Sequence, residues 1–238
     1  MNNFDRYKML IDGVPTDIAS VPPEFILHRD GALSVVWAPC DHINTGARLA
    51  IVGITPGWQQ AQIAYTAAQQ ALKDGLSYPE ACKRAKGQAA FAGTMRKNLI
   101  EMLDDIGVGR ALGIASTVEL FDGSHPDLHS TSALRYPVFR NNMNYTGHNP
   151  DPLKHDYFRF MTETLLMEEL RAISPALVVP LGKAANECVQ HVLSIYQADV
   201  FLLDMFPHPS GANAHRIRQF NEQKKALSKT VHAWADSA

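Results

Sequence analysis

The chain has 238 residues, of which 46% are hydrophobic and 19% are charged, and its formal net charge is −2 at pH 7. This charge excludes a uniformly basic surface for nucleic acid, so any such surface has to be a local patch. The three cysteines are too few and too scattered for a disulfide framework or a Cys-rich metal site.

The length and apolar content are sufficient for a sizeable core, and no linker-like or low-complexity stretch divides the chain. We therefore expect a single domain over residues 1–238. The start of the sequence lacks the charged-then-apolar order of a signal peptide, and no apolar run is long enough to cross a bilayer. The cysteine usage fits a reducing compartment, so we expect a cytoplasmic protein without a membrane partner.

The predicted elements of the first half begin with a hairpin. Residues 25–27 and 33–37 read as its strands, because Asp30-Gly31 is a turn signal between them. The apolar run 49–52 predicts a buried strand, and the alanine-rich composition of 58–88 predicts helix. Residues 94–106 follow as an amphipathic helix that stops at Gly107.

In the second half strands and helices alternate. The patterns predict strands at 128–134, 176–181 and 200–203, and helices at 162–173, 183–196 and 215–234. Such alternation favours an α/β fold with a mainly parallel sheet of about four strands and helices on both faces. Residues 1–46 then form an N-terminal extension that contains the hairpin.

Two loops rich in Gly and Pro follow predicted strands. One is Gly-Ile-Thr-Pro-Gly at 53–57, and the other is His-Pro-Ser-Gly-Ala-Asn at 208–213. Glycine and proline directly after a strand produce a tight turn whose backbone N–H groups can face a ligand. Ligands bind at the carboxyl ends of strands in open α/β sheets, so we expect both loops to line one cleft.

These motifs resemble the uracil-DNA glycosylase superfamily. The 53–57 loop is similar to the Gly-Ile-Asn-Pro-Gly loop of the mismatch-specific uracil and thymine glycosylases, and 208–211 is similar to the His-Pro-Ser and Pro-Ser-Gly loops of its branches. Phe91-Ala92-Gly93 is similar to the Phe-x-Gly segment of the iron–sulfur branch, and 131–135 to that branch's Thr-Asn-x-x-Lys. The resemblance spans roughly residues 47–230 and implies a three-layer α/β/α fold.

The resemblance also implies a site in which an extruded base loses its N-glycosidic bond. Thr55 and His208 are its catalytic candidates, with His208 donating a hydrogen bond to the departing base. The base-pocket candidates are Gly53, Ile54, Pro56, Gly57, Phe91 and Ser132. The DNA-contact candidates, with Ala212 as the wedge that fills the gap in the duplex, are Ser210, Gly211, Ala212, Asn213, His215 and Arg216.

Several of these residues have an equally plain structural interpretation. Alone, His208 is typical of a histidine that bonds a backbone carbonyl, and Phe91 is typical of a core residue. Arg216 is compatible with a solvated helix start. The loop 135–140 and Lys183 fit phosphate contacts no better than solvated surface. The scattered histidines show no metal spacing, so we assign no metal and no cofactor.

The chain departs from the family pattern at positions that concern the attacking water. Thr55 occupies the place of the Asp or Asn that orients the water, and Ile54 the place of the iron–sulfur branch's Glu. A hydroxyl can hold a water but cannot accept its proton as a carboxylate does. Asp204 and Asp122 are the alternative carboxylates that the sequence offers.

Further departures concern the base. The main uracil enzymes place Tyr at the position of Gly57 and a base-reading Asn at that of Ser132, and their wedge is Leu rather than Ala212. A helical insertion at 58–90 lies near the expected pocket. These changes predict a monofunctional glycosylase for a modified pyrimidine in duplex DNA. In this respect the chain resembles the branch of bacterial antiphage DNA glycosylases, which implies the glucosylated hydroxymethylcytosine of phages as the base and a role in antiphage defence. The alternatives are a uracil or mismatch-specific glycosylase of base-excision repair, an inactive DNA-binding module and, ranked last, a hydrolase of free nucleosides or nucleotides.

Overall fold

The computed structural model describes residues 3–91, 93–121, 125–173, 176–198 and 200–237. Its strands are β1 (Ile26–Asp30), β2 (Leu33–Val36), β3 (Leu49–Gly53), β4 (Leu128–Ser132), β5 (Val138–Arg140), β6 (Met143–Asn144), β7 (Ala176–Pro180) and β8 (Val200–Leu202). Its α-helices are α1 (Asn3–Asp12), α2 (Trp58–Lys73), α3 (Tyr78–Ala89), α4 (Thr94–Asp105), α5 (Val108–Leu112), α6 (Asp156–Phe160), α7 (Met167–Ala172), α8 (Lys183–Ile195) and α9 (Arg216–Ala235). A π-helical segment, Met161–Leu166, joins α6 to α7.

The central sheet contains four parallel strands in the order β4-β3-β7-β8. The predicted fold class, an α/β structure with a parallel sheet of about four strands, is therefore confirmed. Gly53 pairs with Ser132, and Val52 pairs with Pro180. Since all four strands run in one direction, the segments that follow them leave the sheet at the same edge.

Both faces of this sheet are buried, which explains the continuous apolar runs of its inner strands. Alternate residues of β3 point to opposite sides, so Leu49 and Ile51 pack with α4 and α9, while Ala50 and Val52 pack with α7 and α8. The result is the three-layer α/β/α arrangement that the resemblance implies.

A second sheet is only half predicted by the sequence. The hairpin of β1 and β2 is present, but β2 also pairs with β5, and β5 with β6, in an antiparallel sheet. Strands of three and two residues are too short to show an alternating pattern, so β5 and β6 leave no recognisable signal in the chain. Helix α1 is a further element that the sequence patterns do not predict.

The segment 58–90 forms the helix pair α2 and α3, which share a hydrophobic cluster with α1 and the hairpin. Tyr65 of α2 is fully buried there, and its hydroxyl donates to the carbonyl of Trp37 at 2.5 Å. The extension and the helix pair thus brace each other beside the central sheet. None of the helices in the described ranges has the length and apolar content that crossing a membrane requires.

Candidate active site

One pocket opens at the carboxyl edge of the central sheet. Its free volume is about 90 Å³, several times the roughly 10–15 Å³ that a single water needs. Seven of the residues predicted from the sequence line this pocket, and they are Gly53, Ile54, Thr55, Pro56, Phe91, Ser132 and His208. The structure therefore brings the two Gly/Pro loops together, although about 150 residues separate them in the chain.

The wall formed by Gly53, Phe91 and Ser132 is tight. A Cβ atom at Gly53 would lie 3.4 Å from Ser132 Oγ and 3.5 Å from Phe91 Cε1, so a larger residue would take pocket space. Phe91 is 5% exposed and belongs to the main hydrophobic cluster while it also lines the pocket. Its φ of +50° is unusual for a bulky residue and is typical of positions at which packing overrides backbone preference.

His208 is held in one orientation by its own loop. The backbone N–H of Ser210 donates to His208 Nδ1 at 3.2 Å, so the neutral ring carries its proton on Nε2. Burial lowers the pKa of His208, which favours this neutral form. On the other side, Asn98 Nδ2 of α4 donates to the carbonyl of Pro209 at 2.7 Å. The ring thus lines the pocket as a neutral hydrogen-bond donor.

Gly182, at the start of α8, makes room for this ring. Its φ is +83°, and a Cβ atom there would lie 2.9 Å from the Cβ and 3.3 Å from the Cδ2 of His208. Its N–H donates to the carbonyl of Phe206 at 2.9 Å, which fixes the strand-end segment that precedes His208.

The Thr55 hydroxyl is engaged by the backbone. It donates to the carbonyl of Tyr136 at 2.9 Å and accepts from the N–H of Val138 at 3.0 Å. These bonds tie the 53–57 loop to the start of β5. One acceptor position of the oxygen remains, so Thr55 can receive a hydrogen bond from a water but has no proton left to offer it.

Gly57 lies just outside the set of pocket-lining residues. Its N–H donates to Gln60 Oε1 at 2.9 Å, and Gln60 itself lines the pocket. A Cβ atom at Gly57 would lie 3.3 Å from Asn144 Nδ2, and Asn144 Oδ1 accepts from the N–H of Trp58 at 2.9 Å. The first turn of α2 is therefore anchored to the second sheet.

The six DNA-contact candidates do not line the pocket. Gly211, Ala212 and His215 are exposed, as a contact surface requires. Arg216 Nη1 instead donates to the carbonyl of Ser210 at 3.0 Å, which braces the loop. Five residues after the exposed Ala212, the larger apolar side chain of Ile217 is 68% exposed.

A polar cluster that the sequence does not reveal lies beside the pocket. The carboxylate of Glu169 is fully buried and accepts from Arg135 Nε at 2.5 Å, from His129 Nε2 at 2.7 Å and from Lys86 Nζ at 3.5 Å. Arg135 and Lys86 both line the pocket. Burial alone would raise the pKa of Glu169, but the neighbouring Lys86, His129 and Arg135 outweigh it and hold that pKa below its usual range.

This cluster bears on the loop 135–140 and Lys183, which by sequence fitted phosphate contacts no better than solvated surface. Arg135 belongs to this loop, but it is 7% exposed and its Nε donates to the buried carboxylate of Glu169. Lys183 is exposed and lies 3.7 Å from Glu187 of the same helix. The members of the cluster come from α3, β4, the segment after β4 and α7, so no spacing in the sequence predicts it.

No carboxylate is among the pocket-lining residues of the described chain. Asp204 accepts from Asn186 Nδ2 at 2.8 Å and from Gln190 Nε2 at 2.9 Å, both on α8, and Asp122 lies outside the described residues. Asp41 follows the pocket-lining Cys40 and accepts from the hydroxyl of Tyr136. Across the described ranges, no three His, Cys, Asp or Glu side chains are grouped as a metal site would need.

Two comparisons place the chain among known proteins. The family model described as "Uracil DNA glycosylase superfamily" matches residues 40–235. The "Uncharacterized protein YoxB" of Bacillus subtilis (strain 168) is 37% identical over 214 residues, which cover 89% of this chain and 84% of that protein. The matched range contains every residue that lines the pocket.

Proposed function

Since this chain belongs to the uracil-DNA glycosylase superfamily, we propose that it is a monofunctional DNA glycosylase, which hydrolyses the N-glycosidic bond of a base and leaves an abasic site. The observation that carries the proposal is the pocket in which His208 and Phe91 meet the 53–57 loop. Cleavage leaves negative charge on the departing base, and a preorganised neutral donor stabilises that charge without needing to reorganise.

In this scheme Phe91 stacks on the extruded base, and His208 Nε2–H donates to a base oxygen. Thr55 accepts a hydrogen bond from the attacking water through its remaining acceptor position. A general base typically contributes roughly 10²–10⁴-fold. With no carboxylate among the described residues of the pocket wall, we expect a slow enzyme whose cleavage is driven by stabilisation of the leaving group.

The substrate we propose is a modified pyrimidine. Ser132 is smaller than the amide that the related uracil enzymes carry, and no tyrosine is among the described residues that line this pocket. Part of the pocket wall comes from α2 and α3, through Gln60, Lys86 and Ala89. Glucosylated hydroxymethylcytosine remains the first base to test, and a defence role against phages with such DNA follows from it. Because the pocket is about 90 Å³, the attached sugar would have to extend beyond it.

The partner we propose is duplex DNA with an extruded base. The tip 211–215, which is exposed except at the half-buried Asn213, begins three residues after His208, so a base in the pocket would bring the duplex against it. Ile217, at the start of α9, is better suited than Ala212 to fill the vacated space, since inserted wedges are usually large apolar side chains.

A base-release screen tests the proposal. Duplexes carrying uracil, thymine opposite guanine, or glucosylated hydroxymethylcytosine are incubated with the protein, and abasic sites are then cleaved with alkali. We expect His208→Asn to lower the single-turnover rate by roughly 10²–10³-fold, the effect of losing one such donor, with DNA binding intact. The exposed His232→Asn is the matched control and should match the unaltered protein.

The same screen separates the competing functions. Strand breaks with the uracil duplex alone would overturn the modified pyrimidine as substrate and favour a uracil glycosylase of base-excision repair. Retained DNA binding without abasic product from any duplex would favour the inactive module, for which the lack of a carboxylate among the described pocket residues is the specific supporting observation.

A further inference from the structure

One wall of the pocket is formed by hydrogen-bond donors, of which Thr131 and Arg135 belong to the 131–135 motif and Lys86 belongs to none of the motifs. Lys86 comes from α3, Thr131 from β4, and Arg135 from the segment after β4, and all three line the pocket. Lysine and arginine side chains can only donate. Lys86 and Arg135 are 9% and 7% exposed, so solvent screens this wall only weakly.

Lys86 has donor capacity to spare. Its Nζ donates to the carbonyl of His42 at 2.7 Å and lies 3.5 Å from Glu169 Oε2, which leaves one of its three N–H groups without a partner among the described residues. Arg135 is bound through Nε and Nη2, and the described contacts leave Nη1 unused.

Two further observations indicate that this wall faces a ligand. The hydroxyl of Thr131 is buried, yet it finds no hydrogen-bond partner in the described chain. Buried polar groups are normally paired, so an unpaired hydroxyl on a pocket wall suggests a missing partner. In addition, a second cavity of about 30 Å³ adjoins the pocket and shares Lys86, Ala90 and Ser130 with it.

We propose that Lys86 determines the specificity of the pocket: it selects a pyrimidine that carries an oxygen acceptor on the edge far from the sugar, at C4 or on a substituent of C5. This inference rests on the proposed function and names its substrate class. Ser132 lacks the carboxamide that reads this edge in the related uracil enzymes, so the donors of Lys86, Arg135 and Thr131 take over the reading. An edge without such an oxygen leaves these buried donors unpaired, which is the strongest basis for rejecting an analogue.

Glu169 is a positioning residue in this scheme. Its carboxylate lies 3.5 Å from Lys86 Nζ and 2.5 Å from Arg135 Nε, and these contacts restrict the orientation of both side chains. Two other acids lie in this region: the exposed Glu168 accepts from Arg135 Nη2 at 3.3 Å, and the carboxylate of Asp41 accepts from the hydroxyl of Tyr136. Both cations line the pocket, and each keeps an N–H group that the described contacts leave unused.

Binding of uncleavable duplexes tests the inference separately from catalysis. The probes carry 2′-fluoroarabino nucleotides in two pairs that differ at the far edge: uracil opposite guanine against cytosine opposite adenine, and 5-hydroxymethylcytosine against 5-methylcytosine. We expect the oxygen-bearing member of each pair to bind more tightly. Lys86→Met should reduce that preference by roughly 10- to 100-fold, the usual effect of losing a hydrogen bond to a charged group.

Matched variants exclude a merely structural role. Lys86→Arg keeps a donor-only cation and should retain most of the preference, and Glu169→Gln should weaken the preference beyond any general loss of affinity. Lys73→Met, at the exposed far end of α2, should leave both affinity and preference unchanged. Thermal melting confirms that each variant is folded before it is compared.

The outcomes are distinct for the two proposals. Equal affinity within both pairs, or a preference that Lys86→Met leaves unchanged, overturns the role of Lys86 even if the protein releases bases. If the unaltered protein releases no base but shows the preference and loses it in Lys86→Met, the glycosylase proposal fails while the reading role of Lys86 stands.

Discussion

Replacement of Gly182 by alanine tests whether the position of His208 is critical. The new methyl group would lie 2.9 Å from the Cβ and 3.3 Å from the Cδ2 of His208, closer than side chains normally approach. The clash is with the root of the histidine rather than a flexible end, so His208 or the start of α8 has to shift.

The two costs of this substitution can be separated. Gly182 has φ +83° and ψ 174°, a combination essentially confined to glycine, so an L-residue there costs about 1–3 kcal/mol in stability. Displacement of His208 costs activity instead, because a misplacement of about 1 Å at a catalytic group can reduce a rate roughly 10²-fold. Gly75→Ala is the matched control, since Gly75 has φ +84° against +83° at Gly182, but its new methyl group would have no neighbouring atom within 4 Å.

The assay combines urea unfolding with single-turnover base release on the best substrate of the screen. We expect both variants to lose backbone stability, and only Gly182→Ala to lose base release by roughly 10²-fold with DNA binding retained. A Gly182→Ala protein that releases base at the rate of Gly75→Ala would refute the reasoning that this glycine sets the position of His208.

Two further predictions concern the pocket loop and pH. Thr55→Val leaves the carbonyl of Tyr136 and the N–H of Val138 without their hydrogen bonds, so the free energy of unfolding in urea should fall by about 1–3 kcal/mol. The control Thr55→Ser should keep both stability and base release. A Val variant as stable as the unaltered protein would contradict this. Burial, aided by Lys86, lowers the pKa of His42 from 6.5 to about 4. As the pH drops below 6.5, His42 is therefore protonated in the unfolded chain before it is protonated in the folded protein, and the stability falls. Between pH 7 and pH 5 this contributes about 1 kcal/mol, since the half-buried ring is partly screened, and His42→Gln should flatten that part of the urea-unfolding profile; an unchanged profile would exclude His42 as its source.

The pocket shows how far local patterns can lead. The apolar runs at 49–52 and 176–181 predicted buried parallel strands, and such strands place their following loops at a common edge. The meeting of the Thr55 and His208 loops at one pocket follows from that rule. The state of the Thr55 hydroxyl does not, because its partners belong to β5 and the segment before it, which carry no periodic pattern.

The polar cluster of Glu169 shows why the charged wall of the pocket could not be predicted from the sequence. Lys86, His129 and Arg135 are single residues on separate elements, and each is ordinary for its local sequence. Their charges become meaningful only when burial removes water and brings the three within hydrogen-bond reach of one carboxylate. Lys86 and Arg135, which by sequence could be ordinary solvated side chains, are therefore buried parts of the pocket wall.

Short-range chemistry in the chain was enough to set the order of strands and helices and the positions of its two Gly/Pro turns, because apolar periodicity and turn propensity act over a few residues. Packing between distant elements decided the rest. It determined that Thr55 keeps one acceptor position, that Lys86 lines the pocket and that Arg135 is buried. Hydrogen bonds and charge pairs across such distances are fixed by the folded geometry, and no local pattern encodes them.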